Sequence, residues 1–262
     1  MIELTVGLPM YRSALTADVA FESLVNQKNI NFNWELLIIE EQNDCFGLEK
    51  IKKYVSELKK VGCTRLEYIK IDEWVHLSQK WKKLSEISSE SSKCFLLQAA
   101  DCYSQPYRLK ETYDIFKKDS KVSWVQSAKG YFYQLELKKM SLFDYNSPNY
   151  NHPCALNMAL KTSLLKQSSI RISNSVDRDL FDAATIANNE KLKVVFNDSE
   201  NWKLGVDLDG ISNFSKDRKI LIQRDILPFK NVAANLCDVV PKNVFKYIKS
   251  LEKHSIGHKY IV

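Results

Sequence analysis

Glycine is scarce in this sequence, which has seven glycines among 262 residues. The phosphate-binding patterns G-x-G-x-x-G and G-x-x-x-x-G-K-[ST] are both absent. Each pattern uses glycines to bring the backbone close to a phosphate group. Their absence weighs against a dinucleotide-binding Rossmann domain and against a P-loop enzyme.

Paired cysteines and long apolar runs are missing too. The six cysteines form no C-x-x-C motif and have no histidine at metal-site spacing, so the sequence indicates neither a zinc site nor a disulfide framework. No apolar run approaches the roughly 20 residues that a membrane-spanning helix needs. The N-terminus also lacks the basic and then apolar layout of a signal peptide. We therefore expect a cytoplasmic protein.

The excess of positive charge is confined to the C-terminal part. Residues 1–215 carry 28 Lys and Arg against 28 Asp and Glu, and residues 216–262 carry 10 against 4. Such a tail can follow the phosphates of a nucleic acid or an anionic membrane surface. The commoner explanation is the solvated face of a helix. Lysines do recur at helical spacing beside apolar residues, at Lys242, Lys246, Lys249 and Lys253.

Strand-like and helix-like apolar segments alternate along the N-terminal half. Amphipathic helices lie between the predicted strands, which are Leu4–Leu8 (ended by Pro9), Glu35–Glu40, Leu66–Ile71 and Cys94–Leu97. This alternation, about every 15 residues, is typical of βαβ units and predicts a mostly parallel sheet. Further on, Gly205 and Gly210 among polar residues predict a long loop over Trp202–Arg218. That loop would either close over a diphosphate or act as a linker.

Acidic side chains follow two of the predicted strands. Asp101 comes just after the strand Cys94–Leu97, and Glu40 and Glu41 end the second strand. The carboxyl ends of strands are where open α/β sheets bind ligands. Asp101 is thus placed to hold a divalent cation that in turn holds phosphates, or to cap the helix that Pro106 opens. The two glutamates can accept hydrogen bonds from a nucleobase or ribose, or form a plain acidic turn.

Five short segments of the N-terminal half follow one another in a characteristic order. They are Val6–Arg12, Ser23–Gln27, Trp34–Glu41, Lys80–Trp81 and the turn from Asp101 to Leu109. Together they resemble family 2-type glycosyltransferases of the GT-A fold, which typically contain P-x-Y-N, S-L-x-x-Q, E-I-I-V-D-D and L-D-A-D-D-x-x-x-P-x-x-L. Two later segments extend the resemblance to about residue 200: Asn151–Leu165 is similar to H-x-S-x-M-F-R-K-S-L-L, and Val176–Leu180 is similar to E-D-x-D-L.

Three features depart from the family pattern. Ala99 stands where the D-x-D motif has its first aspartate, and Arg12 stands where asparagine is usual. The second strand ends in Glu40 and Glu41 where the family has aspartates. The aspartate missing at position 99 would contact ribose or metal, which leaves Asp101 as the carboxylate of this motif.

The resemblance implies an α/β fold. We expect a GT-A-like single domain with a mostly parallel, Rossmann-like central sheet flanked by helices, plus a C-terminal helical extension. Residues 1–200 would form the glycosyltransferase domain, with a nucleotide-sugar half at about 1–105 and an acceptor half at about 106–200. Residues 201–262 would form a loop and the basic helical extension.

The implied activity is transfer of a hexose or pentose from a nucleoside-diphosphate sugar, first of all a UDP-sugar, to an acceptor hydroxyl with inversion. Asp101 would hold Mn²⁺ or Mg²⁺, which neutralises the departing diphosphate. Asp177 would be the catalytic base, with Asp179 as the alternative. Acceptor-side residues would be His152 and Trp202. The implied donor-binding residues are Pro9, Tyr11, Arg12, Glu40, Glu41, Lys80, Ala100 and Asp101.

The resemblance implies a glycan or a lipid-linked saccharide as the acceptor. The basic C-terminal part adds DNA with a hydroxylated base, which would have to flip out of the stack to reach Asp177. A different interpretation is a catalytically weakened GT-A domain that binds nucleotide or nucleic acid. Ala99 and the basic tail are the features that indicate it.

Overall fold

The structure is a computed structural model that describes residues 1–42, 45–135, 138–144, 146–147, 150–151, 158–173, 175–189, 191–198, 204–209, 229–231 and 235–255. Its strands are β1 (Leu4–Met10), β2 (Trp34–Glu41), β3 (Cys63–Ile71), β4 (Cys94–Leu97), β5 (Trp124–Ser127), β6 (Lys129–Gln134), β7 (Lys139–Asp144), β8 (Asn146–Ser147), β9 (Tyr150–Asn151), β10 (Met158–Lys161), β11 (Val194–Asn197), β12 (Leu204–Asp209) and β13 (Phe229–Asn231). Its helices are α1 (Ala17–Val25), α2 (Leu48–Lys52), α3 (Val55–Lys60), α4 (Leu77–Ile87), α5 (Arg108–Lys118), α6 (Thr162–Gln167), α7 (Val176–Ala187), α8 (Leu236–Val239) and α9 (Lys242–Ser255).

Seven strands form the central sheet, in the order β11-β5-β10-β4-β1-β2-β3. Neighbouring strands are parallel except at β10, which runs antiparallel to both β4 and β5. This arrangement confirms the predicted α/β fold with a mostly parallel sheet flanked by helices. The ends of β1, β2 and β4, at Met10, Glu41 and Leu97, meet on one side of the sheet, which we call the carboxyl edge.

Both faces of the central sheet are buried. Along β2, Leu36 and Ile38 belong to one core and Leu37 and Ile39 to the other, and all four are fully buried. Helices α1, α2, α3 and α5 cover the first face, and α4, α6 and α7 cover the second. A strand covered on both faces is apolar throughout its middle, which is the pattern that the sequence of β2 shows.

β1 continues to Met10, so the prediction that Pro9 ends it was wrong. Pro9 pairs in register with Ile39 of β2, whereas β4 pairs with β1 only as far as Gly7. The carbonyl of Gly7 accepts the N–H of Gln98, so the nitrogen of Pro9, two residues on, faces the same side. Among the residues that the structure describes, no strand pairs with β1 on that side at the level of Pro9, and a proline without an N–H is therefore tolerated.

The segment around Asp101 agrees closely with its predicted layout. β4 has the predicted bounds, Cys94–Leu97. The following helix, α5, begins at Arg108 and not at Pro106. The Pro106 carbonyl instead accepts the backbone N–H of Lys28 at 2.6 Å, which ties this turn to the end of α1.

A second sheet joins the C-terminal part of the chain to its middle. Its strand order is β12-β6-β7-β13, with β12 parallel to β6 and β13 antiparallel to β7. The predicted loop over Trp202–Arg218 is therefore wrong for Leu204–Asp209, which is β12. This strand has the sequence L-G-V-D-L-D, which alternates apolar with small or acidic residues. That period of two is a strand signal, and the glycines obscured it.

Helix α9 is amphipathic and docks on the rest of the protein. Val244 and Ile248 are buried in a core that also contains Tyr103 and Tyr133. Lys242 and Lys246 are exposed, which is consistent with both the solvated-face and the phosphate-binding interpretations. No helix in the described part of the chain is long and apolar enough to cross a membrane.

Candidate active site

The carboxyl edge brings together residues from three strand ends. Met10 and Glu40 are register partners in β1 and β2, so Tyr11 follows β1 at the level of Glu41. β4 lies on the other side of β1, and the turn that carries Asp101 follows it. Predicted donor-binding residues from widely separated parts of the sequence therefore share one edge of the sheet.

A buried ion pair connects this edge to α4. The Lys80 ammonium contacts the Glu41 carboxylate, and the two side chains are 4% and 2% exposed. Lys80 Nζ also donates to Met10 O at 3.1 Å and lies 5.4 Å from the centre of the Tyr11 ring. Burial lowers the pKa of Lys80, and the contact with Glu41 offsets part of this effect. Lys80 thus holds the ends of β1 and β2 together.

Arg12 has a left-handed backbone conformation, with φ of 49°. This conformation is uncommon for a residue other than glycine, and such residues cluster at functional sites. Ser13 stabilises the turn, because its hydroxyl accepts the Tyr11 N–H and donates to Tyr11 O, both at 3.1 Å. The exposed guanidinium of Arg12 lies over the Tyr11 ring, 5.1 Å from its centre. An aromatic face and a cation therefore occur together at the end of β1.

The buried Glu40 carboxylate binds the loop that follows β2. It accepts the backbone N–H groups of Phe46 and Gly47, the latter at 3.0 Å, and the hydroxyl of Tyr68 at 2.9 Å. Burial and the hydrogen bond to Glu40 raise the pKa of Tyr68. In this geometry Glu40 shapes the loop beside the carboxyl edge, while Glu41 is the glutamate that contacts Lys80.

The turn that carries Asp101 rests on Arg108, a residue that sequence reasoning missed. The Arg108 side chain is fully buried. It donates to Gln98 Oε1 at 3.1 Å, to Ser104 Oγ at 2.7 Å and to Leu97 O at 2.9 Å. A side chain that binds both ends of a turn restricts its conformation, and we therefore assign Arg108 to positioning the turn.

The Gln98 side chain forms hydrogen bonds inside the same turn. Its side-chain amide donates to Ala99 O at 2.9 Å and to Cys102 O at 2.8 Å. In the sequence Asp101 lies between Ala99 and Cys102. It is 6% exposed, and its Oδ1 accepts a hydrogen bond from Cys102 Sγ at 3.5 Å. The turn therefore holds the backbone on both sides of Asp101 in place at the carboxyl edge.

Helical spacing was the signal that could have identified Arg108. Leu109, Thr112 and Tyr113 are all buried positions of α5. Arg108 precedes Thr112 by four residues and so shares its side of the helix. An arginine on the buried side of an amphipathic helix is unusual and indicates a buried hydrogen-bonding role.

The first turn of α7 also reaches the carboxyl edge. β3 ends there, and the segment after it leads to His76, the N-cap of α4. His76 Nδ1 accepts the Ser78 N–H at 3.3 Å, and Nε2 donates to Ser173 O at 3.0 Å. Ser173 lies just before α7, whose first turn contains Asp177 and Asp179. His76 therefore attaches the start of α7 to the edge that carries Glu41.

Asp179 is bound within its own segment, since the Ser173 hydroxyl donates to its carboxylate.

The remaining predicted residues are distributed as follows. Pro9 lies in β1, and Ala100 lies buried in the Asp101 turn. His152 and Trp202 lie outside the described residues.

Asp101 is the residue at this edge that suits a divalent cation. Among the residues that the structure describes, no three His, Cys, Asp or Glu side chains converge on a common metal position. Protein sites for Mg²⁺ with phosphate substrates often use only one or two carboxylates, and the phosphates supply further ligands. A single carboxylate held in a fixed turn fits this mode of binding, with Ala99 in the neighbouring position of the motif.

No protein-family model and no curated protein matches the sequence, but solved structures match the fold. S. aureus TarS 1–349 has a TM-score of 0.58 at 13% identity, over 79% of this chain and 60% of TarS 1–349. The same fragment in complex with UDP-GlcNAc has a TM-score of 0.59 at 12% identity, over 98% and 67%. Mannosyltransferase PcManGT from Pyrobaculum calidifontis, in complex with GDP-Man and Mn²⁺, has a TM-score of 0.54 at 10% identity, over 97% and 72%. The chain has a GT-A-type glycosyltransferase fold.

This result confirms the GT-A-type fold that the resemblance of the sequence motifs implies. The chain covers 60% of TarS 1–349 and 44% of the longer TarS structure. At these identities the likeness concerns the fold alone. The assignment of a donor and an acceptor must therefore come from the residues at the carboxyl edge.

Proposed function

We propose that the protein is a glycosyltransferase that takes a sugar from a nucleoside-diphosphate sugar and transfers it to an acceptor hydroxyl. The observation that carries this proposal is the carboxyl edge of the GT-A fold, where Tyr11 and Arg12 follow β1, Asp101 follows the neighbouring strand β4, and His76 binds the segment before α7. Structural neighbours were solved with UDP, UDP-GlcNAc or GDP-Man. By the motif resemblance, a UDP-sugar is the donor that we expect first.

Tyr11 and Arg12 are assigned to the nucleotide end of the donor. The Tyr11 ring, which lies near both Arg12 and Lys80, is assigned to contact with the nucleobase. The exposed guanidinium of Arg12 presents the planar set of donors that matches phosphate oxygens. Pro9, in the strand that leads to this pair, and Ala100, in the turn after the neighbouring strand β4, are assigned to backbone contacts with the donor.

Lys80, Glu41 and Glu40 are assigned to holding the residues that contact the donor. The Lys80 ammonium is almost fully buried and binds Glu41 and Met10 O, so we expect it to orient Tyr11. Direct contact with the diphosphate is the alternative role for Lys80. Glu40 is assigned to the loop after β2, to which it is hydrogen-bonded.

Asp101 is assigned to the cation that accompanies the diphosphate, Mn²⁺ or Mg²⁺. Support comes from its fixed turn and from the Mn²⁺ in the PcManGT complex. When bound, such a cation neutralises the negative charge of the departing diphosphate. In this protein, Gln98 and Arg108 would position Asp101 by stabilising the turn that carries it.

Asp177 is assigned as the base that removes the proton from the attacking hydroxyl, in an inverting reaction. Both Asp177 and Asp179 lie in the first turn of α7. The hydrogen bond from Ser173 engages Asp179 in the loop before the helix. By the motif resemblance Asp177 is the base that we expect first, and Asp179 is the alternative.

The test is release of nucleoside diphosphate from a panel of UDP- and GDP-sugars with Mn²⁺ or Mg²⁺ and no acceptor, since water can replace the acceptor. We expect release by the wild type, and a kcat about 100-fold lower in Asp177→Asn with little change in donor KM. Asp182→Asn is the matched control, because Asp182 lies on the same helix in an exposed ion pair with Arg178. A raised donor KM at unchanged kcat would assign Asp177 to the donor and make Asp179 the better base.

A catalytically weakened domain that binds nucleotide is the second candidate, and Ala99 is the observation that favours it. It predicts that UDP or GDP binds without any release of product from the sugar nucleotides. The Ala99→Asp variant would then gain turnover.

A glycan or a lipid-linked saccharide is the proposed acceptor, and DNA with a hydroxylated base is the other class. The C-terminal charge excess supports DNA, and Lys242 and Lys246 are exposed on α9. Binding to duplex DNA at about 50 and 200 mM salt tests it, because phosphate contacts make affinity fall by orders of magnitude over this range. Absence of binding at the lower salt concentration would eliminate DNA.

A further inference from the structure

Trp74 differs from the other tryptophans that the structure describes. It is 57% exposed, whereas Trp34, Trp81 and Trp124 are buried. Ile172 is 63% exposed and lies in the segment before α7. Large apolar side chains exposed near a site often mark a surface that binds a ligand or a partner.

Both residues lie beside His76 at the carboxyl edge. The Trp74 and His76 rings meet edge to face, with centroids 6.1 Å apart and planes at 73°. His76 Nε2 donates to the carbonyl of Ser173, the residue after Ile172, at 3.0 Å. His76 thus contacts both the Trp74 ring and the carbonyl of the residue after Ile172, although Trp74 and Ile172 are distant in the sequence.

The same segment is attached to the proposed donor site. The backbone N–H of Val75, the residue after Trp74, donates to Glu41 Oε1 at 3.3 Å. Glu41 in turn contacts Lys80, and on the other side Ser173 binds Asp179. Trp74 therefore lies at the junction between the donor edge and the first turn of α7. A group bound there would be adjacent to both.

The chemistry of this surface suits a neutral sugar. The flat face of an indole and a branched aliphatic chain pack against the C–H groups of a pyranose ring, as aromatic side chains pack on other apolar faces. Asp72 and Glu73, both exposed, precede Trp74 and can accept hydrogen bonds from sugar hydroxyls. Their two negative charges outnumber the positive charge of Arg171, which is exposed before Ile172, and so oppose a polyanion or an anionic membrane surface.

We propose that Trp74 and Ile172 form an acceptor subsite that binds an uncharged saccharide beside α7. This inference rests on the proposed function and deepens it, since it names the acceptor as a neutral glycan and assigns two residues to it. His76 is the positioning residue, because its side chain contacts the Trp74 ring and binds the backbone next to Ile172.

The experiment measures binding of cellotetraose, chitotetraose and mannotetraose by titration calorimetry, without donor, to the full chain. We expect at least one tetrasaccharide to bind, and Trp74→Ala and Ile172→Ala to weaken that binding, about tenfold for Trp74→Ala. Ile186→Ala is the matched control, because Ile186 is 70% exposed at the other end of α7. It should bind like the wild type.

Release of nucleoside diphosphate from sugar nucleotides is measured on the same variants and separates this inference from the proposed function. Trp74→Ala and Ile172→Ala should leave donor hydrolysis unchanged. If no tetrasaccharide binds, or if Trp74→Ala binds as tightly as the wild type, the subsite is refuted even when donor hydrolysis is intact. Binding of the wild type, but not of Trp74→Ala, to vesicles of phosphatidylcholine with phosphatidylglycerol would also refute it in favour of a membrane contact. Saccharide binding that depends on Trp74 without any donor hydrolysis would support the subsite and refute the glycosyltransferase proposal.

Discussion

The buried pair of Lys80 and Glu41 allows a double-mutant test of how the carboxyl edge is held. Replacing Lys80 with Met leaves a buried Glu41 carboxylate without its cation. Replacing Glu41 with Gln leaves a buried ammonium. Because the two side chains are 4% and 2% exposed, we expect each single change to cost about 3–5 kcal/mol of unfolding free energy. This is a large part of the roughly 5–15 kcal/mol that a domain has in total.

The double variant Lys80→Met/Glu41→Gln removes both charges and should cost far less than the sum of the two single changes. The new Gln side chain also keeps an oxygen for the Val75 N–H that Glu41 accepts at 3.3 Å. Urea unfolding of the four proteins measures this cycle. Lys83→Met, at an exposed position of the same helix, is the control and should be neutral. Additive costs in the double variant would refute the idea that the pair stabilises this edge.

The same variants decide what Lys80 does for the donor. If Lys80 orients Tyr11, both Lys80→Met and Glu41→Gln should raise the donor KM, since each disrupts the pair. If Lys80 contacts the diphosphate directly, Lys80→Met alone should raise it. A rise in donor KM that is seen only in Lys80→Met would therefore contradict the positioning role and support direct contact between Lys80 and the diphosphate.

Two further predictions concern the turn of Asp101 and helix α9. Arg108→Ala should lower the unfolding free energy by about 3 kcal/mol or more, measured by urea denaturation, because three hydrogen bonds from a buried guanidinium are lost. A change below about 1 kcal/mol would contradict this role. Burial opposes ionisation of Glu252, but hydrogen bonds from Lys249 and Tyr133 outweigh it and lower the Glu252 pKa below the ordinary 4.5. Ionised Glu252 thus stabilises the fold above pH 4.5, and this contribution is lost as pH falls through the lowered pKa. Acid should therefore destabilise the wild type more than Glu252→Gln; equal slopes of unfolding free energy against pH would contradict this.

Short, continuously apolar strands were the most predictable part of the fold. The run Cys94–Leu97 has strand bounds in the structure that equal those read from sequence. Its acidic neighbour Asp101 could be assigned to the carboxyl edge because parallel strands end together. Pro9 was misread, since only the pairing of β1 shows that β4 stops short of it.

Side-chain direction could not be predicted for Lys80. It stands in the sequence K-W-K-K, where three lysines look alike. In the structure Lys80 and Trp81 are buried, whereas Lys83 is exposed. Burial of a lysine depends on a partner, here Glu41, that lies on another element, and local sequence contains no information about that partner.

Contacts between distant segments could not be predicted from the sequence either. His76 and Ser173 are 97 positions apart in the sequence and meet at 3.0 Å. The resemblance assigned Asp177 to catalysis but gave no means by which α7 reaches the donor edge. That connection, and with it the position of Trp74, appears only when the chain is folded.

The central claim is that sugar nucleotides react at the edge that holds Asp101. The most direct measurement is a proton NMR time course of UDP-GlcNAc and GDP-Man with Mg²⁺, comparing the wild type with Asp101→Asn. The account predicts that the wild type releases nucleoside diphosphate and free sugar together, with the inverted anomer first, and that Asp101→Asn remains folded but releases neither. Full activity of Asp101→Asn in the presence of EDTA, or no release from any sugar nucleotide by the wild type, would contradict it.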